Sequence, residues 1–208
     1  KIMARLAEKY ENKQLCRKYL EMAEKTKKSF DEKFYNEEKH CLYDVLGDSK
    51  VRPNQLFALS LSHPIVDNAE IAEQILSTVE NKLLNKYGLK TLSSDEDGYV
   101  DVYEGSAYKR DSSYHQGITW PWLLGLYYDA LKNTMIIEKN RTKRQELEEK
   151  ITKLVYTTKE TFKAEMFERS SIGTISEIYD STEPYEERGA FAQAWSVAEI
   201  FRIVLNKR

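Results

Sequence analysis

The sequence predicts an all-α protein in which paired helices are arranged around a toroid, with about seven helices and long loops on one face. Segments with the apolar spacing of amphipathic helices recur along the chain. The connections between them are alternately short and long. Because loops on a rigid scaffold usually carry functional groups, we expect function on the face where the long loops gather.

Periodicity and capping or breaking residues indicate seven helical segments. They cover residues 2–10, 16–34, 53–62, 66–84, 119–133, 141–167 and 187–207. Pro53 suits the first turn of the third segment, and Asp67 or Asn68 can cap the fourth. The first segment starts inside an amphipathic pattern without an initiator methionine, so we expect a cut end there.

Three long loops separate the helices, over residues 35–51, 87–119 and 168–187. The middle loop contains Tyr99, Tyr103, Tyr108 and Tyr114, and tyrosines are uncommon in disordered segments. Loops of this length in a compact domain are usually functional. Two strand-like pieces, CLYDVL and TISEIYD, are predicted to form small hairpins at the rim.

Composition excludes several classes of function. The 208 residues fit one domain, and 32 basic against 34 acidic residues give a net charge of −2. Nucleic acid is therefore not an expected partner, because nothing offsets the phosphate charge. We also expect no membrane partner, because no apolar run is long enough to span a bilayer.

The residues that commonly bind metals lack the required spacing. Cys16 and Cys41 form no CxxC pair, which is typical of reduced thiols in a cytoplasmic protein. His40, His63 and His115 stand singly along the chain. We expect neither a metal site nor another cofactor.

Three carboxylates lie outside the charged helix faces. Glu177 follows SSIGTIS, Asp111 precedes a His-Gln-Gly turn, and Asp44 lies in LYDVLG. A carboxylate among apolar groups is either paired by an Arg or by backbone amides, or it has a tuned pKa for proton transfer. Residue patterns leave both alternatives open.

Polar and aromatic groups accompany these carboxylates. Near the start of the third helix they are Arg52, Asn54 and Gln55; in the stretch RDSSYHQGITWPWLLG they are Arg110, Asp111, His115, Gln116 and Trp120; and at the last helix they are Gln193 and Trp195. Such groups suit sugar hydroxyls and pyranose faces, but they equally suit helix caps and core packing. Taken together on one face, they predict a cleft for a neutral polyhydroxylated ligand. The stretch from 110 to 125 is interpreted as the rim of that cleft, leading into a buried helix.

Four ordered motifs carry a resemblance to a known family. They are GLKTLS at 88–93, YHQGITWPW at 114–122, SEIYD at 176–180 and AQAWSVAE at 192–199. With VRPNQLFALSL at 51–61, they resemble the C-terminal amylo-α-1,6-glucosidase domain of bacterial and archaeal glycogen debranching enzymes. The likeness extends over nearly the whole chain.

The resemblance implies the C-terminal part of an (α/α)6 toroid, as in glucoamylase-like enzymes. It implies hydrolysis of the α-1,6-linked glucose stub of glycogen or a related α-glucan, with inversion at the anomeric carbon. Glu177 matches the family's general base. The resemblance places Arg52, Asn54, Gln55, His115 and Trp120 around the sugar pocket, and Asp44, Arg110, Asp111, Gln116 and Trp195 join them as expected substrate-binding residues.

One element of the family pattern is missing. The general acid is an Asp in a W-M-D type segment upstream of the first helix, and the chain contains no such segment. A complete toroid also needs more helices than the seven predicted. We therefore expect residues 1–208 to be a single-domain C-terminal fragment, inactive alone, whose partner is the remaining N-terminal part of the enzyme. Its exposed inner helices are expected to self-associate.

Other functions remain open at this stage. A glucoamylase-like or trehalase-like hydrolase would share the fold but cleave another linkage. A non-catalytic carbohydrate-binding domain would retain the aromatics without requiring Glu177. A scaffold of helical repeats would require a fixed period, and the sequence contains none.

Overall fold

The computed structural model describes residues 1–169 and 172–205. Within them the α-helices are α1 (Ile2–Lys9), α2 (Lys13–Lys33), α3 (Phe57–Ser60), α4 (Ala69–Lys82), α5 (Ala107–Ser113), α6 (Leu123–Ile137), α7 (Arg141–Glu168) and α8 (Ala194–Leu205). A 3-10 helix over Pro53–Leu56 precedes α3 directly. The prediction of an all-α class is confirmed, since the strands are only two or three residues long.

The helix α6 occupies the centre of the packing. It contacts α3, α4, α7 and α8, and eight of its fifteen residues are buried. The outer helices α4 and α7 carry charged residues toward solvent, which is the pattern of a helix that covers a core. The three long loops lead into α3, α6 and α8, so their ends converge around the start of α6. Closure into a toroid stays a prediction.

Two predicted helix boundaries were wrong, and one helix was missed. Residues 119–120 and 187–188 are strands, because their backbones pair with neighbouring loops instead of continuing into a helix. The helix α5 occupies part of the middle loop, including Arg110 of the expected rim segment. Its sequence AYKRDSS lacks the helical spacing of apolar residues, so the helix was not recognised. The Ser106 side chain caps its first turn.

Short strands connect the loops. The strands β3 (Leu84–Asn85), β4 (Gly88–Lys90), β5 (Thr119–Trp120), β6 (Ile178–Tyr179) and β7 (Glu187–Arg188) form one antiparallel sheet in that order. Residue 88 must be glycine, because a Cβ there would approach the Trp120 carbonyl oxygen to 2.4 Å. Both predicted strand-like pieces form hairpins. TISEIYD contains β6, which pairs with β7. CLYDVL contains β2 (Cys41–Leu42), which pairs with β1 (Tyr35–Asn36).

The first two helices have little core contact. The helix α1 packs on α2, and α2 contains no buried residue. Several large apolar side chains are exposed on this pair, namely Ile2, Met3, Leu6, Leu15, Leu20 and Met22. The expected self-association through exposed helices stays a prediction. Across the described ranges, the helices are too short or too polar to cross a bilayer.

Asn68, rather than Asp67, caps α4, because its side-chain oxygen accepts the N–H groups of Glu70 and Ile71. We predict that Asn68→Ala lowers the free energy of unfolding by about 1 kcal/mol, since two N–H groups lose their acceptor. Urea denaturation measures this change. Asn81→Ala, inside the same helix, is the control and should be neutral or slightly stabilising. Equal losses in both variants would contradict the capping role.

Candidate functional site

Glu177 lies where the middle and last loops meet. The residues on either side of it, Ser176 and Ile178, are buried, whereas its own side chain is half-buried. Its backbone N–H donates to the Ala190 carbonyl oxygen at 2.9 Å, and the Ala190 N–H donates to its Oε2 at 3.1 Å. The β6–β7 hairpin therefore holds both the backbone and the carboxylate of Glu177.

Two further donors reach the other carboxylate oxygen. The Tyr114 hydroxyl donates to Glu177 Oε1 at 2.6 Å, and the Gln193 Nε2 amide donates at 3.2 Å. In the described part of the chain, all donors on this carboxylate are neutral. In general, hydrogen bonds to an ionised carboxylate favour the ionised form, and they do so without the charge of an adjacent cation.

Tyr114 stays a donor across the working pH range. Burial raises the pKa of its hydroxyl well above the usual value, and the hydrogen bond to Glu177 raises it further. Its ring contacts those of Tyr103, His115 and Trp120, with centroids 5.6, 4.8 and 4.8 Å away. The hydroxyl that faces Glu177 is therefore held by packing on several sides.

His115 and Trp120 form a stacked pair beside Tyr114. Their ring centroids are 5.3 Å apart with 16° between the planes. Trp120 is buried and donates from Nε1 to the Tyr114 carbonyl oxygen at 3.2 Å, whereas His115 is exposed. Partial desolvation of the ring against its neighbours lowers the pKa of His115, and the nearby Arg52 charge lowers it further, which favours the neutral imidazole.

A row of aromatic rings crosses the starts of α3, α6 and α8. Trp122 stacks on Trp195 at 5.6 Å and contacts Phe57 at 6.5 Å. Trp195 also meets the edge of Trp120 at 5.9 Å, which joins this row to the rings around Glu177. Trp195 and Phe57 keep 45% and 40% of their surface exposed, so the row presents ring area to solvent.

Arg52 ties the predicted polar residues together. Its guanidinium donates to the carbonyl oxygens of Thr91 and His115 and to the Gln116 side-chain oxygen. Its Nε lies 4.0 Å from Asp44, which also accepts from Asn54 Nδ2 at 2.8 Å. These residues thus connect the first loop to the middle loop, and their binding of a substrate stays a prediction.

The remaining predicted residues lie in different settings. Gln55 is buried, where its amide donates to the Arg52 carbonyl oxygen and accepts from the Leu42 N–H. Arg110 and Asp111 lie exposed on α5, and the Arg110 guanidinium donates to the Gly105 carbonyl oxygen rather than to Glu177. Gln55 therefore anchors the backbone of its loop, and the other two lie on the outer surface of α5.

Asp180 was not singled out from the sequence, although it ends the SEIYD motif. It is buried and accepts two hydrogen bonds from Arg188 at 3.0 and 2.8 Å. It also accepts the Tyr103 N–H at 2.8 Å. This carboxylate fixes the last loop to the segment that carries Tyr103.

Glu165 was also missed, because it resembles any other charged residue of α7. It is fully buried and accepts from the Tyr179 hydroxyl at 2.9 Å. The Arg169 Nε lies 3.4 Å from Glu165 and 2.8 Å from Glu187. Burial raises the pKa of Glu165 to about 7, and the hydrogen bond with Glu187 contributes. A carboxyl buried in the core has no access to a ligand, so the raised pKa bears on stability rather than on catalysis.

We predict that Glu165 makes folding stability depend on pH. Because its folded pKa of about 7 exceeds the ordinary value of 4.5, its stabilising effect is complete below pH 4.5 and is lost as the pH rises through 7. Glu165→Gln removes this loss. In urea titrations it should gain about 1–3 kcal/mol relative to wild type between pH 5 and pH 8. Glu168→Gln, on the exposed side of the same helix, is the control, and a pH-independent difference for Glu165→Gln would contradict the assignment.

Among the described residues, no group of three or more His, Cys, Asp or Glu side chains is placed to hold a metal ion.

The chain matches one family model over most of its length. The family model described as amylo-alpha-1,6-glucosidase matches residues 1–202. This family is the glycoside hydrolase-like domain of debranching enzymes. The match includes every residue around Glu177, and the chain belongs to the amylo-alpha-1,6-glucosidase family.

Proposed function

We propose that this chain supplies the general base and part of the sugar pocket for hydrolysis of α-1,6-linked glucose stubs on glycogen or a related α-glucan. Glu177 is the base. The observation that carries this proposal is its half-buried carboxylate, held by the Tyr114 hydroxyl, the Gln193 amide and the Ala190 N–H. Family membership supports the class of reaction.

The proposed reaction inverts the configuration at the anomeric carbon. A water oxygen attacks that carbon while Glu177 takes a proton from the water. The bond from the anomeric carbon to the glycosidic oxygen breaks, and a protonated carboxyl gives its proton to that oxygen. In inverting enzymes the two carboxyl groups lie roughly 6.5–9.5 Å apart, which leaves room for the water. We propose that another part of the same enzyme supplies this second carboxyl.

The neutral donors around Glu177 suit a base. A base must be ionised before the reaction and must still accept a proton. An adjacent Arg or Lys would favour the ionised form so strongly that proton uptake would become unfavourable. Hydroxyl and amide donors hold the carboxylate in place at a smaller cost to its basicity.

The aromatic row supports binding of a glucan. Exposed ring faces can pack on the apolar faces of pyranose rings, while nearby polar groups bond to hydroxyls. The row formed by Phe57, Trp122 and Trp195 continues from Trp120 beside Tyr114. Asp44, Asn54, Arg52, His115 and Gln116 are the polar candidates at its edge.

We predict that Glu177→Gln abolishes turnover in the intact protein. The amide has nearly the same shape but cannot take up a proton, so kcat should fall on the order of 10²–10⁴-fold with KM little changed. Release of glucose from a limit dextrin measures kcat. Glu186→Gln, which replaces an exposed carboxylate of the same hairpin, is the control and should retain activity. Unchanged turnover in Glu177→Gln would reject the base, and retained binding without any wild-type turnover would favour a non-catalytic binding domain.

We predict that Trp195→Ala weakens substrate binding. Loss of an exposed ring face should raise KM roughly 5–30-fold, which corresponds to 1–2 kcal/mol, with a smaller effect on kcat. Trp195→Phe should recover part of this loss because it restores an aromatic face. Phe201→Ala removes a similarly exposed ring from the same helix and serves as the control. If both alanine variants raise KM equally, the row is not a binding surface.

A further inference from the structure

We propose that Tyr114 is a positioning residue that fixes Oε1 of Glu177, with help from Gln193, and so leaves Oε2 as the atom that takes up the proton. This inference rests on the proposed function, because it assigns one atom of the proposed base. It also assigns a role to a tyrosine that the motif comparison treats only as part of YHQGITWPW.

The two carboxylate oxygens of Glu177 have different surroundings. Oε1 accepts from the Tyr114 hydroxyl at 2.6 Å and from the Gln193 amide at 3.2 Å. Oε2 accepts from the Ala190 N–H at 3.1 Å. Each carboxylate oxygen has two acceptor positions. Among the described residues, both positions of Oε1 are therefore used and one position of Oε2 remains for a water.

The hairpin backbone at Gly189 packs close to Oε2. Gly189 has a φ of +68°, and a Cβ at this position would come within 2.4 Å of Glu177 Oε2. Glycine therefore permits both the left-handed backbone conformation and this close approach. A side chain at position 189 would displace Oε2, the oxygen with spare acceptor capacity.

Packing holds the Tyr114 ring in one orientation. The rings of Trp120 and His115 meet it edge-on, at 70° and 63° between planes, and Tyr103 is tilted against it. The Tyr114 carbonyl oxygen accepts from Trp120 Nε1. Since the ring is held on several sides and at the backbone, the hydroxyl limits rotation of the carboxylate.

Two titratable side chains, Tyr103 and His115, pack on Tyr114. The pKa of His115 is lowered from its usual value, so His115 takes up its proton on the acidic side of neutral pH. On β7 the guanidinium of Arg188 is paired with Asp180. Gln193, on the segment before α8, is uncharged. Because Tyr103 and His115 are retained in Tyr114→Phe, a shift of the acidic limb of kcat/KM between wild type and this variant reports the lost hydrogen bond to Glu177.

The test compares Tyr114→Phe with Tyr108→Phe in the intact protein. The phenylalanine at 114 keeps the ring packing and removes one donor to an ionised group. The acidic limb of kcat/KM should move up by about one pH unit, and kcat at neutral pH should fall roughly tenfold with KM within about twofold. Tyr108 lies on α5 with 82% of its surface exposed, so Tyr108→Phe should leave profile and rates unchanged.

A second variant covers the case in which Tyr114→Phe does not fold. Gln193→Met removes the other donor to Oε1 and should move the limb in the same direction, but less, because the amide lies 3.2 Å from Oε1 and the hydroxyl 2.6 Å. If Tyr114→Phe lowers the melting temperature while the acidic limb stays in place, Tyr114 is only a packing residue and the inference is overturned. If only Gln193→Met can be measured, an unmoved limb in that variant also overturns it.

Glu177→Gln separates this inference from the proposed function. Loss of turnover in Glu177→Gln together with an unmoved limb in Tyr114→Phe rejects the positioning role and leaves Glu177 as the base. Full turnover in Glu177→Gln rejects the base, and the positioning role with it. Loss of turnover together with a shifted limb supports both.

Discussion

The backbone pairing of Thr119 with Tyr179 is the contact on which the candidate site depends. It joins β5, which directly precedes the central helix α6, to β6, which directly follows Glu177. The paired residues are far apart in sequence, and they belong to two different long loops. Their pairing fixes one loop to the other. Short strands are sufficient because flanking contacts support them. The Thr119 and Ser181 hydroxyls lie 2.6 Å apart, and Tyr179 stacks on Tyr87 at 4.5 Å.

Glu165 and Glu177 illustrate how burial assigns different roles to similar contacts. Each accepts a hydrogen bond from a tyrosine hydroxyl, at 2.9 and 2.6 Å. Glu165 has no exposed surface and shares its surroundings with Arg169 and Glu187, so burial and a neighbouring carboxyl favour its protonated form. Glu177 is half-buried among the loops and keeps part of its surface exposed. The raised pKa therefore marks the structural carboxyl, and accessibility marks the candidate base.

The aromatic residues of the chain divide between core and surface. The Tyr87 ring packs on both Phe162 and Tyr179, and it thereby supports β6, which contains Tyr179. Trp122 and Trp195 stack at the helix starts and leave ring area exposed. The aromatic residues thus have two uses. One group of rings fixes the strand beside Glu177, and the other forms the surface that extends from it.

The sequence by itself determined the helical class and the family, and it singled out Glu177 as a candidate. Helical periodicity is a local property, and ordered motifs retain their spacing whatever the tertiary arrangement. The exceptions were α5, which lacks an apolar period, and the strands at 119–120 and 187–188, whose pairing partners are distant in the chain. Only the tertiary structure decided that Tyr114, Ala190 and Gln193 all donate to the Glu177 carboxylate. It also decided that Gln55 bonds to backbone atoms and that Glu165 is buried. The physical reason is that hydrogen bonding and desolvation depend on which loops meet, and no local pattern specifies that meeting.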